Sequence, residues 1–234
     1  LSSKLQGDGR RVEVKANLGP EALWGDLCSV KITASHFTTK TLPLYTEPKR
    51  SHRGLVRSLE LDLTDFSLGK LHVAKLSGTI PNSNFDLPLA LNHRQIRLSH
   101  SGEGVGQVAA TAADLEAFIL AKYHEIKRVT VRLDHDKIWI EGRGTFLFLT
   151  TDFSVVARIV SADGHSLDMA YARVLLDGKP AEGEAKQALL DTLHPLIDLN
   201  DDLELHGAIR IEAVRIGNGI LTVSGPMKIP ESAT

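Results

Sequence analysis

Cysteine is almost missing: Cys28 is the only one in 234 residues, so no disulfide can form within the chain and a bridge-stapled scaffold is excluded. A lone cysteine of this kind reads as a small buried hydrophobe; a nucleophile would need a partner that stabilises its thiolate. No stretch approaches the ~18 uninterrupted apolar residues of a membrane-crossing helix. Charge of one sign is lacking as well. Lys and Arg number 27 against 29 Asp and Glu, a net charge of −2, and no basic run is long enough for a nucleic-acid footprint. The densest cationic stretch, Lys49-Arg50-Ser51-His52-Arg53, reads as a solvated loop, with contact to anionic head groups as the alternative. The first residue is Leu1, which leaves open a signal peptide or anchor ahead of it.

Spacings that carry catalysis or metal chemistry are missing too. The ten histidines are scattered, with no HxH, HxxH or HExxH pair, and structural zinc also wants cysteines at short spacing. Asp198-Leu199-Asn200-Asp201-Asp202-Leu203-Glu204 begins like a calcium loop but has Leu203 where the turn glycine belongs and Ile209 where the closing glutamate belongs. It reads as an acidic loop. Gly102-Glu103-Gly104-Val105-Gly106 lacks the Gly-Lys-Ser/Thr of a phosphate loop and reads as a glycine-rich bend or bulge in a strand. There is no G-x-S-x-G elbow and no ordered Ser, His and Asp signature. No motif supports an enzyme, a cofactor or a metal.

What the chain does have is alternation. With 42% hydrophobic and 24% charged residues it has the composition of a globular protein, and one unit over residues 1–234 is expected. Val12, Val14 and Ala16; Val30, Ile32 and Ala34; Leu59, Leu61 and Leu63; Phe85, Leu87, Leu89 and Leu91; then Ile96 and Leu98 each follow a period of two. Such patterns predict antiparallel strands with one dry and one wet face. Pro20, Pro43, Pro48 and Pro81 fall between or at the ends of these runs, where a missing donor does little harm. Further hairpins are expected at Asp134–Lys137, at Asp163-Gly164 and at Asn218-Gly219, the last the strongest turn cue.

Two segments switch to helical spacing. Thr111 and Asp114 form a start signal ahead of Leu115, Phe118, Ile119 and Tyr123. From about Ala181 to His194, Ala185, Ala188, Leu189 and Leu193 share one side until Pro195 ends the run. The fold class expected is therefore α+β. Two short helices cannot cover about ten strands. A long, curling sheet would need further side chains or a bound apolar molecule to fill its dry face.

Several of these segments resemble the LmeA-like phospholipid-binding family of bacteria. They are Val108 through Thr111, Asp114, Leu115 and Phe118; Pro195-Leu196-Ile197-Asp198-Leu199; and the ending Val214 through Asn218-Gly219 to Val223 and Gly225. Leu23-Trp24-Gly25-Asp26-Leu27 and the stretch from Val129 through Asp163-Gly164 to Gly178 fit as well. The resemblance spans most of the chain, on patterns of small and apolar residues. It implies a tubular lipid-binding fold, in which a strongly curved antiparallel sheet wraps around amphipathic helices and leaves an apolar channel. It also implies a place in the bacterial cell envelope, periplasmic or extracytoplasmic, peripheral to the membrane. The implied partner is a phospholipid or fatty-acyl lipid, without nucleic acid, catalysis or cofactor.

Since one buried methylene contributes ~0.8 kcal/mol, an acyl chain is held without polar contacts. Candidate lipid-binding residues are Leu115, Phe118, Ile119, Leu189, Leu190 and Leu193 on the helices. Those on strands are Ile138, Ile140, Phe146, Phe148, Leu167 and Met169. For any one of them, plain core packing is the rival role. Leu115, Phe118 and Leu189 are expected to line an accessible cavity. The competing accounts are an envelope interaction module with a filled core and a free strand edge, a closed lipocalin-like barrel, and a hydrolase needing a polar cleft.

Overall fold

The structure is a computed structural model that describes residues 5–7, 9–40, 42–146 and 149–232. In chain order, strands β1 (Arg11–Asn17), β2 (Asp26–Leu27), β3 (Ser29–Thr39), β4 (Gly54–Leu68) and β5 (Leu71–Phe85) come first. A 3-10 turn, Pro20–Trp24, precedes β2. Helix α1 (Leu87–His93), β6 (Leu98–His100) and β7 (Gly104–Thr111) follow. Helix α2 (Ala112–Lys122) then carries the chain to β8 (Ile126–Asp134), β9 (Lys137–Phe146), β10 (Leu149–Val160), β11 (Ser166–Leu176) and β12 (Lys179–Pro180). Helix α3 (Gly183–Thr192) and β13 (Ile197–Asp198) lead to the closing hairpin, β14 (Ala213–Gly217) and β15 (Ile220–Met227).

The fold is α+β and mostly antiparallel, with a sheet curled into a half-barrel. The expected single sheet is, however, two. The first runs β1-β3-β4-β5-β7-β15-β14, with β2 beside β4 and β6 beside β5; the second runs β12-β11-β10-β9-β8, with β13 beside β11. Helix α2 packs on β8 of one and on β5 and β7 of the other, so its buried Leu115, Phe118 and Ile119 join the two. Its start is the capping box written in the sequence. Thr111 accepts from the Asp114 N–H, and Asp114 accepts from the Thr111 N–H, which satisfies two orphan donors. Among the described residues no helix is long and apolar enough to cross a membrane.

Four local expectations need correction. Leu87, Leu89 and Leu91 do not continue a strand: Asp86 accepts from the Leu89 N–H and caps α1, with Pro88 in its first turn. Three leucines two apart fit either period over so short a run, and the Asp-x-Pro start decides for helix. The pairs β3–β4 and β2–β4 are parallel, because the 40–53 segment returns the chain to the same end of the sheet. Val14 and Ala16 are exposed and Val12 is only half-buried, since β1 is an edge strand beyond the reach of the core. Pro81 lies inside β5, opposite Ser58, next to Asn82 at a φ of 51°.

A crease crosses three strands and explains a break in the alternation. In β3 the inward residues run Val30, Ile32 and Ala34, then step by three to Phe37; in β4 they run Leu59, Leu61 and Leu63, then Phe66; in β5, Val73 steps to Leu76. His36 and Asp65 sit at the step in β3 and β4, both left-handed at φ 57° and 51°. A single left-handed residue resets the pleat by one place. The buried face therefore continues inward across a bend. At ~3.3 Å per residue, the 15-residue β4 and β5 would be ~50 Å long if straight, so bending is how they stay on one core.

Candidate functional site

The dry side of the first sheet carries a seam of two narrow apolar cavities. One, of about 30 Å³, lies between Phe66, Leu71 and Leu76 of the sheet and Leu199, Leu203 and Leu205 above them. The other, of about 20 Å³, lies among Phe37, Leu63, Leu76, Leu42, Leu44 and Ile229. Leu76 borders both. No polar side chain lines either one.

The cover over the first cavity is irregular chain between β13 and β14, held mainly by its own acidic residues. The Asp198 carboxylate accepts from the N–H groups of Asn200 and Asp201, and Asp202 accepts from the Asp198 N–H. Lys122, at the end of α2, donates to Asp202 at 2.6 Å and to the Pro195 carbonyl at 3.1 Å. Tyr123 donates to the same carbonyl at 2.7 Å, and its burial, with Asp202 nearby, pushes its phenol pKa well above the ordinary value. The acidic stretch is thus a turn that clips a leucine-bearing cover to α2.

The candidate lipid residues are placed as follows. Leu115, Phe118, Ile119, Leu189, Leu193, Ile138, Ile140, Phe146 and Leu167 are buried; Leu190 and Met169 are half-buried. Phe148 lies outside the described residues. Of these, Leu167 alone borders the seam, while neither cavity takes a lining side chain from α2 or α3. Leu115, Phe118 and Leu189 are fully buried in the apolar core. Sequence reasoning missed the main seam residues of β4, β5 and the 199–205 cover. The signal was there in Phe66, Leu68, Leu71 and Leu76, and in leucines spaced through an acidic loop.

A polar chain lies on the outer side of the crease. His36 Nε2 meets one Asp65 oxygen at 2.8 Å, His72 Nε2 meets the other at 2.9 Å, and His72 Nδ1 meets Asp114 at 2.7 Å. Asp114 also binds Thr111, so the chain fastens the bend to the first turn of α2. Among the described residues, it sets no nucleophile against a base, and no group of three or more His, Cys, Asp or Glu could hold a metal ion. Burial opposes charge on His72, but its hydrogen bonds to Asp114 and Asp65 outweigh that and raise its pKa above 6.5.

A pKa raised on folding contributes stability fully below the unfolded value, lost as pH rises through the folded one. With the His72 side chain 38% exposed, solvent screening keeps the effect to about 0.5 kcal/mol. Chemical denaturation from pH 6 to 9 should show wild type losing that much more stability than His72→Gln. Equal slopes would remove the role given to His72.

No family model, no curated protein and no solved structure matches the chain.

Proposed function

We propose that the chain binds an acyl-chain lipid without catalysis, with the apolar seam as its channel in closed form. The observation that carries this reading is the lining: two cavities that both border Leu76, lined only by apolar side chains, one of them beneath an irregular cover. Here a leucine-bearing loop, clipped by Lys122 and Asp202, lies over the dry face. Long irregular segments of this kind are commonly functional covers.

The cavities are small. Each has room for about one water, whereas ligand pockets run from ~300 Å³, so uptake requires the 199–205 cover to lift and the acyl chain to replace its leucines. The apolar surface that those leucines cover would be covered again by methylenes at ~0.8 kcal/mol each. The architecture this reading implies is the tubular lipid-binding one, with a phospholipid or fatty acid as ligand at the bacterial envelope.

The small cavity volumes favour a second reading, an envelope interaction module whose interior is simply filled. Native mass spectrometry of the purified protein, followed by solvent extraction, separates the two. The lipid reading expects a co-purifying acyl species, or near-stoichiometric uptake of added fatty acid or phospholipid. A mass that stays apo after both lipids have been added would leave the interaction module.

A further inference from the structure

One end of the first sheet carries an apolar surface that the fold does not cover. Ten large apolar side chains are exposed among the described residues, and four of them, Leu18, Trp24, Leu91 and Ile96, lie on segments at this end. Trp24 is 83% and Leu91 70% exposed. Helix α1 has no buried residue at all. The pieces are joined: the Leu55 N–H donates to the Gly25 carbonyl, the Asp86 N–H to the Arg97 carbonyl, and Asn84 donates to the His52 carbonyl. Gly25 lies directly against Leu87, where a Cβ would come within 2.5 Å of its side chain.

Charge at this end leans positive. Four of its carboxylates are engaged: Glu21 and Asp26 with Arg57, Glu47 with Arg50 and Arg97, and Asp86 with Arg50 while capping α1; the exposed Glu231, bridged to Thr46, is a fifth and is in none of these pairs. Lys49, Arg53 and Arg94 have no carboxylate partner among the described residues. His52 and His93 stand beside them in the chain. Of the three cations in the loop singled out in the sequence, Arg50 is therefore neutralised, while Lys49 and Arg53 are left at the same end of the sheet as the exposed leucine, isoleucine and tryptophan.

We infer that this end of the sheet docks on an anionic phospholipid bilayer, with Trp24, Leu91 and Ile96 entering the interface and Lys49, Arg53 and Arg94 meeting phosphates. Aliphatic side chains beside unpaired cations suit a head-group boundary, where each finds its own kind of solvent. They do not suit a nucleic acid, which offers bases to stacking aromatics and no surface to Leu91 or Ile96. The inference goes beyond the seam: a protein that docked yet took up no lipid would keep it and lose the previous one.

The two tryptophans make the test direct. In the full chain carrying Trp139→Phe, Trp24 is the sole tryptophan; its emission should shift to the blue with phosphatidylglycerol-containing vesicles and less with phosphatidylcholine alone. In the Trp24→Phe chain, Trp139 on the outer face of the second sheet should not respond. Sedimentation with the anionic vesicles should weaken about tenfold for Leu91→Ser with Ile96→Ser, and about a hundredfold or more for Lys49→Glu with Arg53→Glu and Arg94→Glu. The control Lys127→Glu with Arg215→Glu, on exposed strand positions away from this end, should bind as wild type does, and circular dichroism confirms each fold. A shift confined to Trp139, no response of Trp24 to either vesicle, or equal losses in the control would each overturn the inference.

Discussion

Replacing Leu76 by Phe is expected to lower affinity for an acyl chain by about tenfold or more, at a stability cost of about 1–3 kcal/mol for overpacking. Leu76 is buried on β5 and lines both cavities, so added volume there narrows each of them. Leu76→Ala works in the other direction. It widens both, should cost about 2–5 kcal/mol in the free protein, and should regain part of that when fatty acid is added, because a ligand stabilises the state that binds it. Titration with a fluorescent fatty acid and thermal melts with and without lipid read the two variants. If both change stability and neither changes lipid binding, the seam is only core.

Phe118→Ala should be the most damaging single truncation, at about 3–5 kcal/mol. Phe118 is fully buried on α2, the helix that packs on β8 of the second sheet and on β5 and β7 of the first. Its ring is also in contact with the Lys122 ammonium, 5.6 Å from the ring centre, so its loss loosens the residue that clips the 199–205 cover. For a chain of this size the melting midpoint should fall by roughly 6–20 °C. A loss under about 1 kcal/mol by chemical denaturation would mean that α2 does not join the sheets as described.

Much of the fold is legible in the residues. Thr111 and Asp114 start α2 at the place their spacing predicts. Asn218-Gly219 turns with both residues left-handed, at φ 53° and 75°. Asp163 holds its turn by accepting from the His165 and Ser166 N–H groups, which lowers its own pKa. What was not legible depends on pairing between distant strands. The parallel step from β3 to β4 leaves no trace in local period, and the leucines of α1 fit two periods at once.

The crease is an intermediate case. Its mark, a step of three between Leu63 and Phe66 and again between Ala34 and Phe37, is visible in each strand. Only alignment of His36 with Asp65 shows that the two steps are one bend. The seam was half legible for the same reason: the need for something to fill a curled sheet followed from counting elements. Which residues fill it depends on the fold of the 199–205 cover.

The most direct measurement is photocrosslinking with a fatty acid that carries a diazirine midway along its chain, mapped by peptide mass spectrometry. The acyl chain in the seam should place label on the 199–205 cover and on β5 near Leu76, reduced by Leu76→Phe and by excess unlabelled fatty acid. Label found only on outer surfaces, or unchanged by either treatment, would contradict an acyl chain in the seam.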